Sequence, residues 1–135
     1  TIPWVSISDM TNSEYINKTK EKISVAASSV MGEISPVGSL LMSFKLTVGR
    51  TSILNIDAYH NEAIISIYPF IDDKYALRDY LFYTLPFLSN MGDSKDAIKG
   101  KTLNSKSLKS LLIPLPPLRE QRYIINRLEE LYAHL

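Results

Sequence analysis

The chain has 135 residues, of which 45% are hydrophobic and 21% charged, with a formal net charge of +1 and no cysteine. Such a length and composition describe one globular domain with enough apolar side chains for a core, and they exclude a disordered tail, a disulfide framework and a thiolate metal site. No apolar run approaches the roughly 18 residues of a membrane span and no signal peptide is legible, so a cytoplasmic protein of bacterial type, without a membrane partner, is expected.

Residues 1–9 read as a short strand with β-favouring Ile2, Trp4, Val5 and Ile7, Trp4 serving as a core anchor, and Asp9, Asn12 and Ser13 supply turn chemistry after it. In residues 14–22 the lysines at 18, 20 and 22 alternate, which places them on one face of an extended strand, wet or facing phosphate. Ser24 is a candidate cap for a short helix through Ala26, Ala27 and Val30, with Gly32 at its end. Pro36-Val37-Gly38-Ser39 is a turn that feeds the apolar run 40–44, too short for a helix and suited to a buried strand. A second strand through Ile53, Leu54 and Ile56 follows the turn 45–50, where Gly49 permits a tight bend. The third strand, 63–68, is closed by Pro69.

Asp72 and Asp73 cap a helix carrying Leu77, Tyr80, Leu81, Thr84, Leu85 and Leu88 on one face, which Pro86 is expected to kink or stop. Between Lys95 and Lys109 five lysines face a single Asp96, so this window carries +4 and the rest of the chain −3. A local basic strip on a near-neutral chain is compatible either with one DNA-facing edge or with a solvated loop. Asn104 or Ser105 suits a cap for a short turn at Leu108, and 111–113 reads as a last strand.

Prolines 114, 116 and 117 end that strand, and Pro117 has the fixed φ of a first helical turn, which predicts a helix over 117–135 about 28 Å long. Leu118, Gln121, Ile125, Leu128, Tyr132 and Leu135 recur in alternating steps of three and four, with Ile124 and Leu131 widening the stripe. This is the spacing of a coiled-coil seam, with Arg119, Arg122, Arg127, Glu120, Glu129 and Glu130 on the flanks. A terminal helix packed on its own domain gives the same stripe.

Little in the sequence supports catalysis. His60 and His134 are isolated, and His60 beside Asp57 and Glu62 is a weak candidate metal site. Ser39 and Ser43 lack the glycine-flanked elbow of a hydrolase. Gly100-Lys101-Thr102 ends like a P-loop, but the glycine required five positions earlier is Lys95 and no buried strand precedes it.

The order of motifs is more informative. PVGSLLMSF (36–44), TVGR (47–50), YHNEAII (59–65), the helix LRDYLFYTL (77–85), KGKTLN (99–104) and IPLPPLREQ (113–121) occur in a sequence that resembles target recognition domains of type I restriction-modification specificity subunits. The resemblance spans nearly the whole chain. It implies a DNA methylase specificity domain-like α+β fold, a twisted and largely antiparallel sheet flanked by helices, with residues 1–116 as the recognition domain and 117–135 as a projecting spacer helix. It further implies a non-catalytic subunit that reads one half of a bipartite duplex DNA target. Its partners would be methyltransferase subunits, which use S-adenosylmethionine, a restriction subunit, and a second recognition domain or a second copy paired through the terminal helix. The candidate DNA-binding residues are Lys95, Lys99, Lys101 and Thr102 in the basic strip, Lys45, Thr47 and Arg50 in the turn, and Asn12 and Tyr15. The alternative is a helix-mediated protein-interaction module with no DNA role.

Overall fold

The computed structural model describes residues 1–10, 14–45, 47–91 and 113–134. Strands β1 (Ile2–Val5), β2 (Tyr15–Ile16), β3 (Glu21–Ile23), β4 (Leu40–Ser43), β5 (Thr51–Leu54), β6 (Tyr59–His60) and β7 (Ile64–Ile67) are accompanied by helices α1 (Val25–Ser28), α2 (Ala76–Met91) and α3 (Leu118–Ala133). The α+β class holds, but two sheets take the place of the single one expected. One has the order β3-β1-β6, the other β2-β5-β4-β7. In the second, β4 pairs antiparallel with both β5 and β7, while β2 joins β5 in parallel.

Period-two alternation explains how the apolar strand runs build two cores. Leu40, Met42 and Ile53 meet Tyr80, Leu81, Tyr83 and Leu85 of α2 and Ile125 of α3 on one face of the four-stranded sheet. Leu41, Leu54 and Ile64 point the other way, towards Val5, Met10, Ile16 and Ala58 beneath the three-stranded sheet. Both faces of β4 and β5 are buried, so the apolar run 40–42 is continuous in the sequence, and the polar Ser43, Thr51 and Ser52 are buried with it.

Several expectations need correction. The first strand stops at Val5, and a 3-10 turn (Ile7–Met10) follows because the Asp9 carboxylate accepts from the Ser6 amide at 2.9 Å and its hydroxyl at 3.1 Å. Val5, not the half-buried Trp4, is the core residue of β1. The lysines at 18, 20 and 22 do not share one strand: β2 and β3 belong to different sheets, and only Lys22 lies in a strand, opposite Pro3. Ser24 does cap α1, accepting from the Ala27 amide at 3.0 Å, but that helix ends at Ser28, before Gly32. The expected features at 104, 105, 108, 111 and 112 lie outside the described residues, and Ile113 is not in a strand.

Pro86 neither stops α2 nor ends it early; the helix continues to Met91. Proline lacks the amide hydrogen that would bond to the carbonyl of Phe82, one turn back. Thr51 of β5 supplies the missing donor, its hydroxyl lying 2.8 Å from that oxygen. Thr51→Val is therefore expected to destabilise the domain by about 1–3 kcal/mol, the cost of a buried unpaired carbonyl. In a Pro86→Ala background the cost should shrink, because the restored amide serves the same oxygen. Denaturant unfolding of the four proteins forms the cycle, and equal costs in both backgrounds would remove the link between Thr51 and Pro86.

At the other end of α2 the Asp72 carboxylate accepts from the amides of Leu77 and Arg78 at 2.7 and 3.1 Å, so one expected cap residue acts from four positions before the helix. Asp73 contributes its backbone carbonyl to the Ala76 amide.

Candidate nucleic-acid interface

The connection between β4 and β5 is the best-defined candidate. It is closed by hydrogen bonds from the Ser43 amide to Arg50 O, from the Gly49 amide to Ser43 O, and from the Arg50 amide to Ser43 Oγ. Gly49 adopts φ +85°, and a β-carbon there would overlap Ser89 Oγ on α2. The loop is thus pressed against the last turns of that helix. Lys45 Nζ sits 5.4 Å from the centre of the Phe44 ring, Thr47 is half-buried, and Arg50 Nη1 reaches Ile7 O at 3.5 Å.

Three parts of the chain therefore meet at one end of the four-stranded sheet: the loop bearing Lys45, Thr47 and Arg50, the 3-10 turn, and the end of α2. The acid of the 3-10 turn, Asp9, is committed to backbone amides at Ser6 and Lys20. Met91, two residues beyond Ser89, is the last described residue before the lysine-rich strip. Lys95, Lys99, Lys101 and Thr102 lie outside the described residues, as does Asn12. Tyr15 sits apart on edge strand β2, and its phenol is pushed up by burial and by the charges of Glu14 and Asp79. Phosphate would be repelled by those acids, so Tyr15 is the least suited of the candidates to a DNA surface.

Residues considered for metal chemistry are dispersed. The Asp57 carboxylate accepts from the Val37 amide, while His60 contacts Asn61 O through Nδ1 and Ser66 Oγ through Nε2. Among the described residues no group of three His, Asp or Glu side chains is placed to hold a metal ion. Ser66 in turn bonds to Ser35 at 2.6 Å. Burial pushes the nearby Tyr68 phenol up, but bonds with the hydroxyls of Ser35, Ser39 and Ser66 outweigh it and hold the group below its ordinary value. Isolated serines carry no signal of this cluster in the sequence.

Helix α3 turns much of its stripe inward. Ile125 is 7% exposed within the core, Gln121 is buried with Nε2 donating to Pro116 O, and Leu128 packs against the same cluster. Tyr132 stacks on Tyr83 of α2, ring centres 5.8 Å apart. Arg122 pairs with Asp73 and the Tyr80 hydroxyl donates to Pro114 O, which fastens the start of α3 to the start of α2. Leu118, Leu131 and Tyr132 stay substantially exposed, and Leu135 lies outside the described residues.

Known proteins share the sequence pattern and the fold. The family model of the type I restriction modification DNA specificity domain matches residues 1–135. The chain is 28% identical over 131 residues to the HindI specificity subunit of Haemophilus influenzae, covering 93% of this chain and 28% of that protein. With the EcoBI specificity subunit of Escherichia coli it shares 37% identity over 65 residues, covering 47% of this chain and 14% of that one. The crystal structure of the HsdS subunit from Thermoanaerobacter tengcongensis superposes with a TM-score of 0.67 at 24% sequence identity, covering 98% of this chain and 30% of that subunit. The chain thus spans less than a third of the length of each of these relatives. On the match along its whole length, the chain belongs to the family of type I restriction modification DNA specificity domains.

Proposed function

We propose that this chain is a non-catalytic module that reads one half of a bipartite duplex DNA target within a type I restriction-modification enzyme. The observation that carries the reading is the convergence at one sheet end of the loop with Lys45, Thr47 and Arg50, the 3-10 turn and the end of α2, just before the lysine-rich strip. Lysines of the strip position the duplex through its phosphates, and Thr47 and Arg50 reach base edges. Residues 1–116 act as the reader. Residues 117–135 begin the spacer that joins it to a second recognition domain or a second copy. Methyltransferase subunits carrying S-adenosylmethionine and a restriction subunit complete the assembly, and membership of the specificity-domain family supports these partners.

Selection of bound duplexes from a randomised pool, at low and at moderate salt, tests the reading: a short motif should persist as salt rises. Lys99→Ala with Lys101→Ala should weaken binding to every sequence, about tenfold at 0.1 M salt. The slope of log K against log salt should flatten by about 0.9 for each phosphate that is no longer neutralised. Arg50→Ala should instead relax the preference at one position of the motif. Binding that vanishes with salt and leaves no motif would reduce the interface to a merely basic surface.

A further inference from the structure

Between the last turns of α2, the second half of α3 and the start of β5, beside Glu14, lies an open groove of about 600 Å³. Its walls are aromatic: Phe82 meets Tyr83 edge-on at 5.0 Å, Tyr83 stacks on Tyr132, and Phe87, 65% exposed, stands at the rim. Two carboxylates, Glu14 just before β2 and Glu129 from α3, line the same space. Neither has an ion-pair partner among the described residues. The neighbouring Asp79 is held by Arg78 at 2.8 Å and is not free to take one. Burial, followed by the charges of Asp79 and Glu129, raises the Glu14 carboxyl above its ordinary value, against the opposing pull of Arg78. The Tyr83 phenol is also raised, by burial first and then by Glu14, Glu129 and Asp79. Among the described residues the groove is therefore a negative, aromatic-walled space with no cation paired to its two carboxylates.

Such a space repels phosphate and favours an ammonium or guanidinium set against ring faces, with a carboxylate to neutralise it. It is too large for a lone cation. Phe87 and Tyr132 give the rim exposed apolar surface, so the cation must arrive on a segment with an apolar face of its own. We propose that the groove receives an arginine or lysine side chain of an amphipathic partner helix, which lays its apolar face along Phe87 and Tyr132 and its cation between Glu14 and Glu129. The inference rests on the groove and not on the DNA reading, and it adds a required chemistry to whichever helix pairs with α3.

A synthetic peptide of residues 117–135 provides an amphipathic helix with three arginines, Arg119, Arg122 and Arg127. It would be titrated, in the absence of DNA, into the isotopically labelled full chain, alongside a peptide with citrulline at those three positions. The arginine form should perturb the amides of Phe87, Glu129 and Tyr132 and bind at least tenfold more tightly than the citrulline form. The isosteric double variant Glu14→Gln with Glu129→Gln, verified as folded from its amide spectrum, should remove the same factor. Absence of binding, equal affinity of the two peptides, or indifference to the double substitution would each overturn the proposal. None of these outcomes touches the test of half-site recognition.

Discussion

Ile125→Asp is expected to unfold the domain. The spacing of the terminal helix alone suggests that a charge at 125 parts two associated helices, yet the side chain lies within the cluster of Leu40, Met42, Ile53, Tyr80, Leu81, Tyr83 and Leu85. Truncating a buried isoleucine to alanine costs about 2–5 kcal/mol, and placing a carboxylate in the same space adds several more for desolvation. A domain of this size has a total stability of about 5–15 kcal/mol, so the variant should be largely unfolded at 25 °C. Circular dichroism and the dispersion of the amide spectrum measure this directly. Leu131→Asp is the contrasting substitution: at 50% exposure on the opposite flank it should change stability by no more than about 0.5 kcal/mol while weakening any helix pairing. Native melting of the aspartate variant at 125 would mean that α3 is not part of the core in solution and that its stripe is a free seam.

These two positions show which physical information the linear pattern contains. A stripe at 3.6-residue spacing reports that one face of α3 is covered, but not whether the cover is α2 or another chain. Strand β4 is legible because burial on both faces leaves the apolar run 40–42, and β5 and β7 because β-favouring isoleucines run through them. The division into two sheets is not: β2 and β6 contribute only two residues each, and their partners lie 38 and 55 positions away in the register pairs Tyr15 with Ile53 and Trp4 with Tyr59. Pro86 misleads for a related reason. Local chemistry predicts a break, and the hydroxyl that compensates for it arrives from Thr51 on a strand 31 residues from the carbonyl it serves. For the candidate interface, Lys45, Thr47 and Arg50 are legible as a basic turn around a glycine. The aromatic groove is not, because Glu14, Tyr83 and Glu129 come from three parts of the chain and none is unusual in its own stretch.

Gly49→Ala is the second substitution with a large expected effect, and it ties the fold to the proposed DNA surface. At φ +85° an L-residue is disfavoured by roughly 1–2 kcal/mol. The added methyl would also overlap Ser89 Oγ and lie 3.1 Å from Ser89 Cβ and 3.5 Å from Pro86 Cα. Ser89 is fully buried and its hydroxyl donates to Pro86 O, so it has little room to move aside. Crowding of that kind costs a further 1–3 kcal/mol or so, for a total of about 2–5 kcal/mol. The loop can escape the overlap only by lifting from α2, which displaces Lys45, Thr47 and Arg50 together. DNA binding measured at a temperature where the variant is still folded should therefore fall by more than its loss of stability explains. Adding Ser89→Ala should recover part of the stability, since it removes the overlapping oxygen but leaves the left-handed backbone penalty. Unchanged melting and unchanged DNA affinity in Gly49→Ala would show that the loop does not rest on α2, and the convergence on which the interface is built would fall with it.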